Sequence, residues 1–269
     1  MSVIAAAIQM RSGSRVDANL AAARRQLQRA RAAGCGLAVL PENFALMARS
    51  PEERLMHAEA PGDGPIQEAL RSLCRELGLW LVAGTIPLRG AVPGKVRAAS
   101  LVYDDRGDCV ARYDKMHLFD VDLGDGERYA ESDAFEPGTE PMVVATPWGR
   151  LGLAVCYDVR FPELFRALIA SGAEFVSLPA AFTVPTGRAH WEVLVRARAI
   201  ENTCYVVAAA QTGRHDNGRQ TYGHSLIVDP WGRVLAQRPA GAGVVTARLD
   251  REHLEAIRQR LPSITHRRL

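Results

Sequence analysis

The sequence predicts an α/β fold with mixed sheets, in a single domain that covers residues 1–269. Three observations predict it. Apolar strands alternate with amphipathic helices through the first third of the chain, which is typical of βα units. The middle and the C-terminal part instead place apolar segments in pairs around short turns, as in β-hairpins. The apolar content of 48% in 269 residues is enough for one large packed core.

The βα part is read from the periodicity of its apolar residues. A period close to 3.6 predicts helices, each followed closely by a glycine, and short continuous apolar runs predict buried strands. The predicted strands are Val3–Gln9, Leu37–Leu40 and Leu79–Gly84, and the predicted helices are Val16–Ala32 and Ile66–Leu77.

The later part of the chain combines hairpins with further βα units. Two of the hairpin turns carry the same tetrapeptide, Pro-Trp-Gly-Arg, and we interpret this as a repeated turn because the flanking sequences do not otherwise match. The predicted hairpins pair Ala98–Tyr103 with Cys109–Tyr113, Met142–Thr146 with Leu151–Val155, and Ser225–Val228 with Val234–Gln237. Two more strands, Phe175–Leu178 and Cys204–Ala210, and two more helices, one from Pro162 and one at Ala189–Glu201, complete a mixed sheet.

Charge and cysteine content limit the function classes. A formal charge of +3 gives no case for a nucleic-acid partner. The five cysteines, an odd number without a CxxC pair, predict free thiols in a reducing compartment, so we expect a cytoplasmic location. No apolar segment has the length of a membrane span, and residues 2–10 lack the basic start of a signal peptide, so we expect no membrane association. The histidines lack metal-site spacing, so we expect no metal and no cofactor.

Cys156 is the first candidate catalytic residue. It follows the predicted strand Leu151–Val155 and precedes the helix predicted from Pro162, so it lies at a strand-to-helix bend at the carboxyl edge of the sheet. We expect the helix N-terminus to favour the thiolate over the thiol. The alternative is that Cys156 is one more small buried apolar side chain.

Two charged residues also follow predicted strands. Glu42 comes directly after Leu37–Leu40, and Lys115 follows the second hairpin strand at the entrance to residues 118–135, which we predict to be an active-site loop. An acid, an ammonium and a thiol suffice for acyl transfer. Glu42 would take the thiol proton, and Lys115 with the Tyr157 backbone N–H would stabilise the oxyanion. The alternative for Lys115 is a solvated surface charge.

Three segments together resemble the nitrilase, or carbon–nitrogen hydrolase, superfamily: Pro41–Asn43, Tyr113–Phe119 and Gly152–Glu163. The resemblance covers nearly the whole chain. It implies that Glu42 is the general base, Lys115 the oxyanion-stabilising lysine and Cys156 the nucleophile that forms a thioester, with Glu131 as a second, positioning glutamate. It also implies a four-layer α-β-β-α sandwich and a homodimer, or a higher homo-oligomer, formed through helix layers.

Four further segments resemble the Nit branch of this superfamily, which contains amidases: Phe182–Leu194, Arg196–Asn202, Tyr222–Gly232 and Leu261–Arg268. The implied substrate is a small amide with a carboxylate, namely an α-keto-acid amide that is hydrolysed with release of ammonia. Deaminated glutathione and α-ketoglutaramate are the two candidates, and the segments favour the first. A nitrilase or a carbamoylase would use the same catalytic residues, and the non-enzymatic alternative is a binding scaffold.

The carboxylate of such a substrate needs a fixed set of donors, which arginine provides. We predict that Arg160, four residues past the nucleophile, binds it and that Thr183 hydrogen-bonds the same end. The alternative for Arg160 is an internal ion pair with an acid such as Asp158.

Overall fold

The computed structural model describes residues 2–124 and 128–268. Its α-helices are α1 (Val16–Ala32), α2 (Pro51–Met56), α3 (Pro65–Leu77), α4 (Pro162–Ala170), α5 (Val184–Thr186), α6 (Glu192–Asn202) and α7 (Arg251–Arg260). Its strands are β1 (Ser2–Gln9), β2 (Leu37–Val39), β3 (Trp80–Val82), β4 (Ile86–Arg89), β5 (Val96–Tyr103), β6 (Cys109–Asp114), β7 (Asp120–Asp122), β8 (Arg128–Ala130), β9 (Met142–Thr146), β10 (Gly149–Leu153), β11 (Phe175–Ala180), β12 (Tyr205–Ala210), β13 (Thr212–Arg214), β14 (Gln220–Tyr222), β15 (Ser225–Val228), β16 (Val234–Arg238) and β17 (Gly243–Asp250).

Most strands belong to two large sheets, and both sheets are mixed. The first has the order β17-β1-β2-β3-β5-β4, with β6 beside β5, and the second has the order β16-β15-β12-β11-β10-β9. Strands β1, β2 and β3 are parallel, as are β10, β11 and β12. The outer strands pair with these cores in antiparallel fashion. The prediction of mixed sheets is confirmed.

Alternating side chains on β1 show how the layers stack. Ala5 and Ala7 lie in a core shared with residues of the second sheet, whereas Ala6 and Ile8 pack with α1 and α3. Helices α4 and α6 cover the other side of the second sheet, against β10 and β12. The four-layer α-β-β-α sandwich is therefore confirmed, and the small side chains of β1 let the two sheets approach closely.

Most predicted elements are found where the sequence indicated. The helix Val16–Ala32 has the predicted bounds, and both Pro-Trp-Gly-Arg tetrapeptides connect antiparallel strands. The predicted loop 118–135 contains the short hairpin of β7 and β8 and a 3-10 turn at Glu131–Asp133, and its residues 125–127 lie outside the described residues. Elements α2, α5, α7, β4, β13, β14 and β17 were not predicted. Within the described ranges, no helix is long and apolar enough to cross a membrane.

Candidate active site

A buried cluster of charges joins three of the predicted residues. The Nζ atom of Lys115 lies 2.8 Å from Oε1 of Glu42, and 2.9 Å and 2.7 Å from Oε1 and Oε2 of Glu131. Lys115 and Glu42 are almost completely buried, and the Glu131 side chain is 15% exposed. The three ammonium donors are thus directed to two carboxylates. The Cys156 thiol also interacts with Glu42, so the structure brings all four predicted catalytic residues together.

Glu42 is held by main-chain contacts from both sheets. Its backbone carbonyl accepts a hydrogen bond of 3.0 Å from Nε2 of Gln211, a buried residue that follows β12 in the second sheet. The next residue, Asn43, has a left-handed backbone with φ 55° and donates its N–H to Oγ1 of Thr85 at 2.9 Å. Because both sheets fix this turn, the carboxylate of Glu42 has little freedom to move away from the thiol.

Lys115 and Glu131 are positioned by the first sheet and by the segment that follows it. Lys115 comes directly after β6, and its N–H donates to the carbonyl of Ala98 on β5 at 3.0 Å. Oε2 of Glu131 accepts a hydrogen bond of 2.6 Å from the N–H of Phe119. Glu131 therefore connects the ammonium to the main chain of the cavity wall, which fixes the side-chain direction of Lys115.

Cys156 lies at a sharp bend after β10. Its φ of 49° is in the left-handed region, which is rare for a residue with a side chain and is found preferentially at functional sites. The residue opens a 3-10 turn, Cys156–Arg160, and α4 begins only at Pro162. Cys156 is thus separated from the first turn of α4, and the influence of that helix on the thiol is weak because the effect of the dipole falls off within one turn.

The charges around Cys156 determine its protonation. Burial and the negative charge of Glu42 raise the pKa of the thiol well above its ordinary value, so the expectation of a thiolate was wrong for the free enzyme. Burial opposes ionisation of Glu42, but the charge and hydrogen bond of Lys115 hold the pKa of that carboxyl below its usual range. Burial likewise opposes protonation of Lys115, and Glu131 and Glu42 overcome it and raise the pKa of the ammonium. The resting site is therefore thiol, carboxylate and ammonium.

Asp158 connects the bend at Cys156 to the lysine segment. Its carboxylate accepts hydrogen bonds from the Tyr113 hydroxyl at 2.7 Å and from the Val155 N–H at 2.8 Å, and it lies 3.2 Å from the N–H and 2.7 Å from Nδ1 of His117. Asp158 is completely buried. It holds residues on both sides of Lys115 against the strand that leads to Cys156. Within the described residues, Arg160 and Asp158 do not form the ion pair that was the alternative for Arg160.

A cavity of about 510 Å³ opens above the thiol. Aromatic rings form much of its wall, and four arginines line it together with Thr183; Tyr157, predicted to stabilise the oxyanion, is also in the wall. The Oγ1 atom of Thr183 is 2.7 Å from Oγ1 of Thr186. The aromatic residues are Phe119, Tyr129, Phe135, Tyr157 and Phe182, and the arginines are Arg49, Arg54, Arg128 and Arg219. Within the described residues no group of His, Cys, Asp and Glu side chains is arranged to hold a metal ion.

Arg160 is not among the residues that line this cavity. Its guanidinium carbon lies 5.7 Å from the ring centroid of Tyr157 and 5.5 Å from that of Phe182, and its Nη2 atom is 3.3 Å from Nδ1 of His190. The position of Arg160 does not support the predicted contact with a substrate carboxylate, because its guanidinium packs against two rings of the cavity wall.

Sequence reasoning missed Asp158, Gln211, Arg54 and Arg219 as residues of the site. One signal was available for Arg54, which lies on α2. The sequence Ser50-Pro51 followed by Glu53 is typical of a helix start, and Oγ of Ser50 does accept the N–H of Glu53 at 3.2 Å. Asp158 is two residues from Cys156, whereas Gln211 and Arg219 reach the site through contacts between distant parts of the chain.

Comparisons with known proteins identify the family of this chain. A family model described as carbon–nitrogen hydrolase matches residues 4–259. A Yersinia enterocolitica protein named deaminated glutathione amidase is 44% identical over 265 residues, which are 98% of this chain and 92% of that protein. The crystal structure of the C. elegans NitFhit protein has a TM-score of 0.92 at 40% identity and covers 99% of this chain, while this chain covers 65% of NitFhit.

A second solved structure, Saccharomyces cerevisiae Nit3, is described as a member of branch 10 of the nitrilase superfamily. It has a TM-score of 0.88 at 31% identity, with coverage of 97% of this chain and 94% of Nit3. The chain therefore belongs to the carbon–nitrogen hydrolase family, the nitrilase superfamily that its motifs indicated, and is a hydrolase of carbon–nitrogen bonds other than peptide bonds.

Proposed function

We propose that the protein is an amidase that hydrolyses the amide of an α-keto acid, with deaminated glutathione as its substrate. One observation carries the chemistry, namely the contact of the Cys156 thiol with the buried cluster of Glu42, Lys115 and Glu131. The name of the Yersinia relative supports the choice of substrate. The cationic cavity of about 510 Å³ also suits a long, acidic amide better than a small neutral nitrile.

The first half of the reaction forms a thioester. Glu42 removes the thiol proton as the sulfur of Cys156 attacks the amide carbon, and the carbonyl electron pair moves onto oxygen. The oxyanion is stabilised by the Lys115 ammonium and by the backbone N–H of Tyr157. Protonation of Glu42 removes one of the two negative charges around Lys115, so the field of the ammonium at the oxyanion becomes stronger. Glu42 then gives the proton to the departing amine as the C–N bond breaks.

The second half hydrolyses this thioester. Glu42, again a carboxylate, takes a proton from water as the water oxygen attacks the thioester carbon. The C–S bond then breaks, the acid product forms and the sulfur recovers its proton from Glu42. In this proposal Glu131 is a positioning residue, because it holds Lys115 through both of its oxygens and does not itself exchange a proton.

The released amine depends on the substrate. In deaminated glutathione the amide nitrogen belongs to cysteinylglycine, so the chemistry of the proposed cleavage releases that dipeptide. Ammonia is released only from a primary amide such as α-ketoglutaramate. The expectation of ammonia release therefore does not apply to the proposed substrate, and the product that both candidates share is α-ketoglutarate.

An assay of α-ketoglutarate formation from both candidates tests the proposal. We expect kcat/KM for deaminated glutathione to exceed that for α-ketoglutaramate by about tenfold or more, because the larger substrate makes additional contacts in the cavity. A preference for α-ketoglutaramate would instead identify an ω-amidase. Failure to hydrolyse either amide, with turnover of a nitrile or a carbamoyl amine, would contradict the amidase proposal.

We also propose a homodimer formed through the outer face of α6. Val193 and Ile200, seven residues apart on this helix, are 67% and 45% exposed, and Trp231 is 53% exposed. Gly232 packs directly against the Ile200 side chain, so the three apolar side chains form one surface. The family resemblance implies a homodimer formed through helix layers, so we take a second copy of the chain as the partner of this surface.

Light scattering at micromolar concentration is expected to give twice the mass of the chain. Val193→Asp should shift the protein toward the monomer, because a buried charge opposes association. Val92→Asp, at an exposed valine that follows β4, is the matched control and should leave the dimer intact. A monomeric wild-type protein would contradict the proposal.

We also propose a cytoplasmic location, because the five cysteines are unpaired, and cell fractionation checks it.

A further inference from the structure

Within the described residues, three of the four cavity arginines, Arg54, Arg128 and Arg219, form no salt bridge, and two of these, Arg54 and Arg219, lie over aromatic rings. The fourth, Arg49, pairs with Glu53 at 2.8 Å. Nη2 of Arg219 donates to the carbonyl of Ala181 at 2.7 Å, but its Nε is buried without a hydrogen-bond partner among those residues. A buried guanidinium donor without an acceptor is costly, so its retention in a cavity wall points to an anion from outside the chain.

Aromatic rings fix both guanidiniums. The guanidinium carbon of Arg54 lies 4.6 Å from the ring centroid of Phe135, and that of Arg219 lies 5.5 Å from the ring centroid of Tyr129. A guanidinium this close to the face of a ring is attracted to it, which restrains the arginine side chain while its N–H groups can still donate to a ligand. Two arginines held in this way have lost much of their side-chain freedom before any ligand binds, which lowers the entropic cost of binding.

The two positive charges also affect each other. Burial and the charge of Arg219 lower the pKa of Arg54, although Glu131 opposes the change. Two half-buried cations in one cavity repel, and an anion between them removes this repulsion. A carboxylate is the ligand that fits, because it accepts two parallel hydrogen bonds from a guanidinium.

The position of Arg219 indicates which carboxylate is bound. Arg219 donates to the carbonyl of Ala181, and the backbone of the same Ala181 hydrogen-bonds the Cys156 thiol. Arg219 is therefore close to the reacting carbon. In the proposed substrate the keto-acid carboxylate is four bonds from that carbon, whereas the glycine carboxylate is six bonds away on the amine side.

We propose that Arg54 and Arg219 together bind the keto-acid carboxylate of the substrate and select acidic amides over neutral ones. The proposal rests on the proposed function for the identity of the amide, but the binding site can be tested without hydrolysis. It assigns to this arginine pair the role that the sequence suggested for Arg160.

The test measures α-ketoglutarate binding to the Cys156→Ala protein by calorimetry. Arg54→Gln and Arg219→Gln, each introduced into that protein, are expected to weaken binding by about tenfold or more, since a charged hydrogen-bonded partner is lost. Arg160→Gln should leave the affinity unchanged. Arg24→Gln, which removes a positive charge on α1 that pairs with Glu76, is the control for net charge. Circular dichroism establishes that each variant is folded.

The outcomes separate the two proposals. Unchanged affinity in both Arg54→Gln and Arg219→Gln, absence of α-ketoglutarate binding, or weakened binding only in Arg160→Gln would overturn the arginine site. Binding that depends on Arg54 and Arg219 in a protein whose wild type hydrolyses no keto-acid amide would support the site and reject the proposed function. In an active enzyme, the same variants should raise KM for the acidic amide by a larger factor than they raise KM for butyramide, which has no carboxylate.

Discussion

Cys156→Ala is expected to lower kcat/KM for deaminated glutathione by about 10⁴-fold or more, because loss of a nucleophile leaves only binding and oxyanion stabilisation. Within the described residues, the other four cysteines do not line the cavity and cannot replace it. The fold should persist, since alanine loses only the sulfur atom and keeps the Cβ that the left-handed backbone already accommodates. Product formation and thermal unfolding, measured on the same preparations, check both expectations.

Cys204→Ala is the matched control for this substitution. Cys204 is also buried, but it precedes β12 and lies outside the cavity. The control should keep full activity while losing some stability through the small cavity that it creates. Mass spectrometry of the wild type, quenched during turnover, should detect an acyl adduct that Cys156→Ala lacks. Hydrolysis by Cys156→Ala at more than about one per cent of the wild-type rate would contradict the role of the thiol as nucleophile.

The proposed catalytic residues were accessible from the sequence because each one follows a strand. Glu42 comes after β2, Lys115 after β6 and Cys156 after β10, and the packing of the two sheets brings these ends to one place. Helix α1 was equally predictable, since its apolar residues repeat with the helical period along its full length. Helix α7 was missed because only three of its ten residues are apolar, and strand β17 was missed because polar residues interrupt its apolar ones.

Side-chain direction was not accessible from the sequence. Arg160 is four residues from Cys156, yet the 3-10 turn between them places its guanidinium near the rings of Tyr157 and Phe182, and Arg160 is not among the residues that line the cavity. The protonation state of Cys156 could not be predicted from its neighbours in the sequence either, since it depends on burial and on Glu42, which is distant in the chain. Local pattern predicts where a residue lies, and long-range packing decides what it contacts.

Lys115→Met is expected to have the second largest effect, on stability as well as on activity. Methionine keeps the length of the side chain but leaves the carboxylates of Glu42 and Glu131 buried without their common counter-ion. Breaking a buried ion pair from one side costs about 3–5 kcal/mol in the free energy of unfolding. Loss of the oxyanion contact should also lower kcat by about 10²–10³-fold. Urea unfolding and α-ketoglutarate formation measure the two effects.

The stability loss of Lys115→Met should grow with pH. In the wild type the pKa of Glu42 is lowered, so this group stabilises the fold above its unfolded pKa. Without the ammonium, burial and Glu131 raise the pKa of Glu42 above its unfolded value, so the folded variant binds the additional proton and loses stability as pH rises. The difference from wild type should therefore be larger at pH 8 than at pH 5. Lys95→Met removes the other lysine of the sequence, which donates to the Ser132 carbonyl at 2.7 Å, and should show a small difference that is independent of pH. An equal difference at both pH values for Lys115→Met would show that Lys115 does not neutralise the two carboxylates.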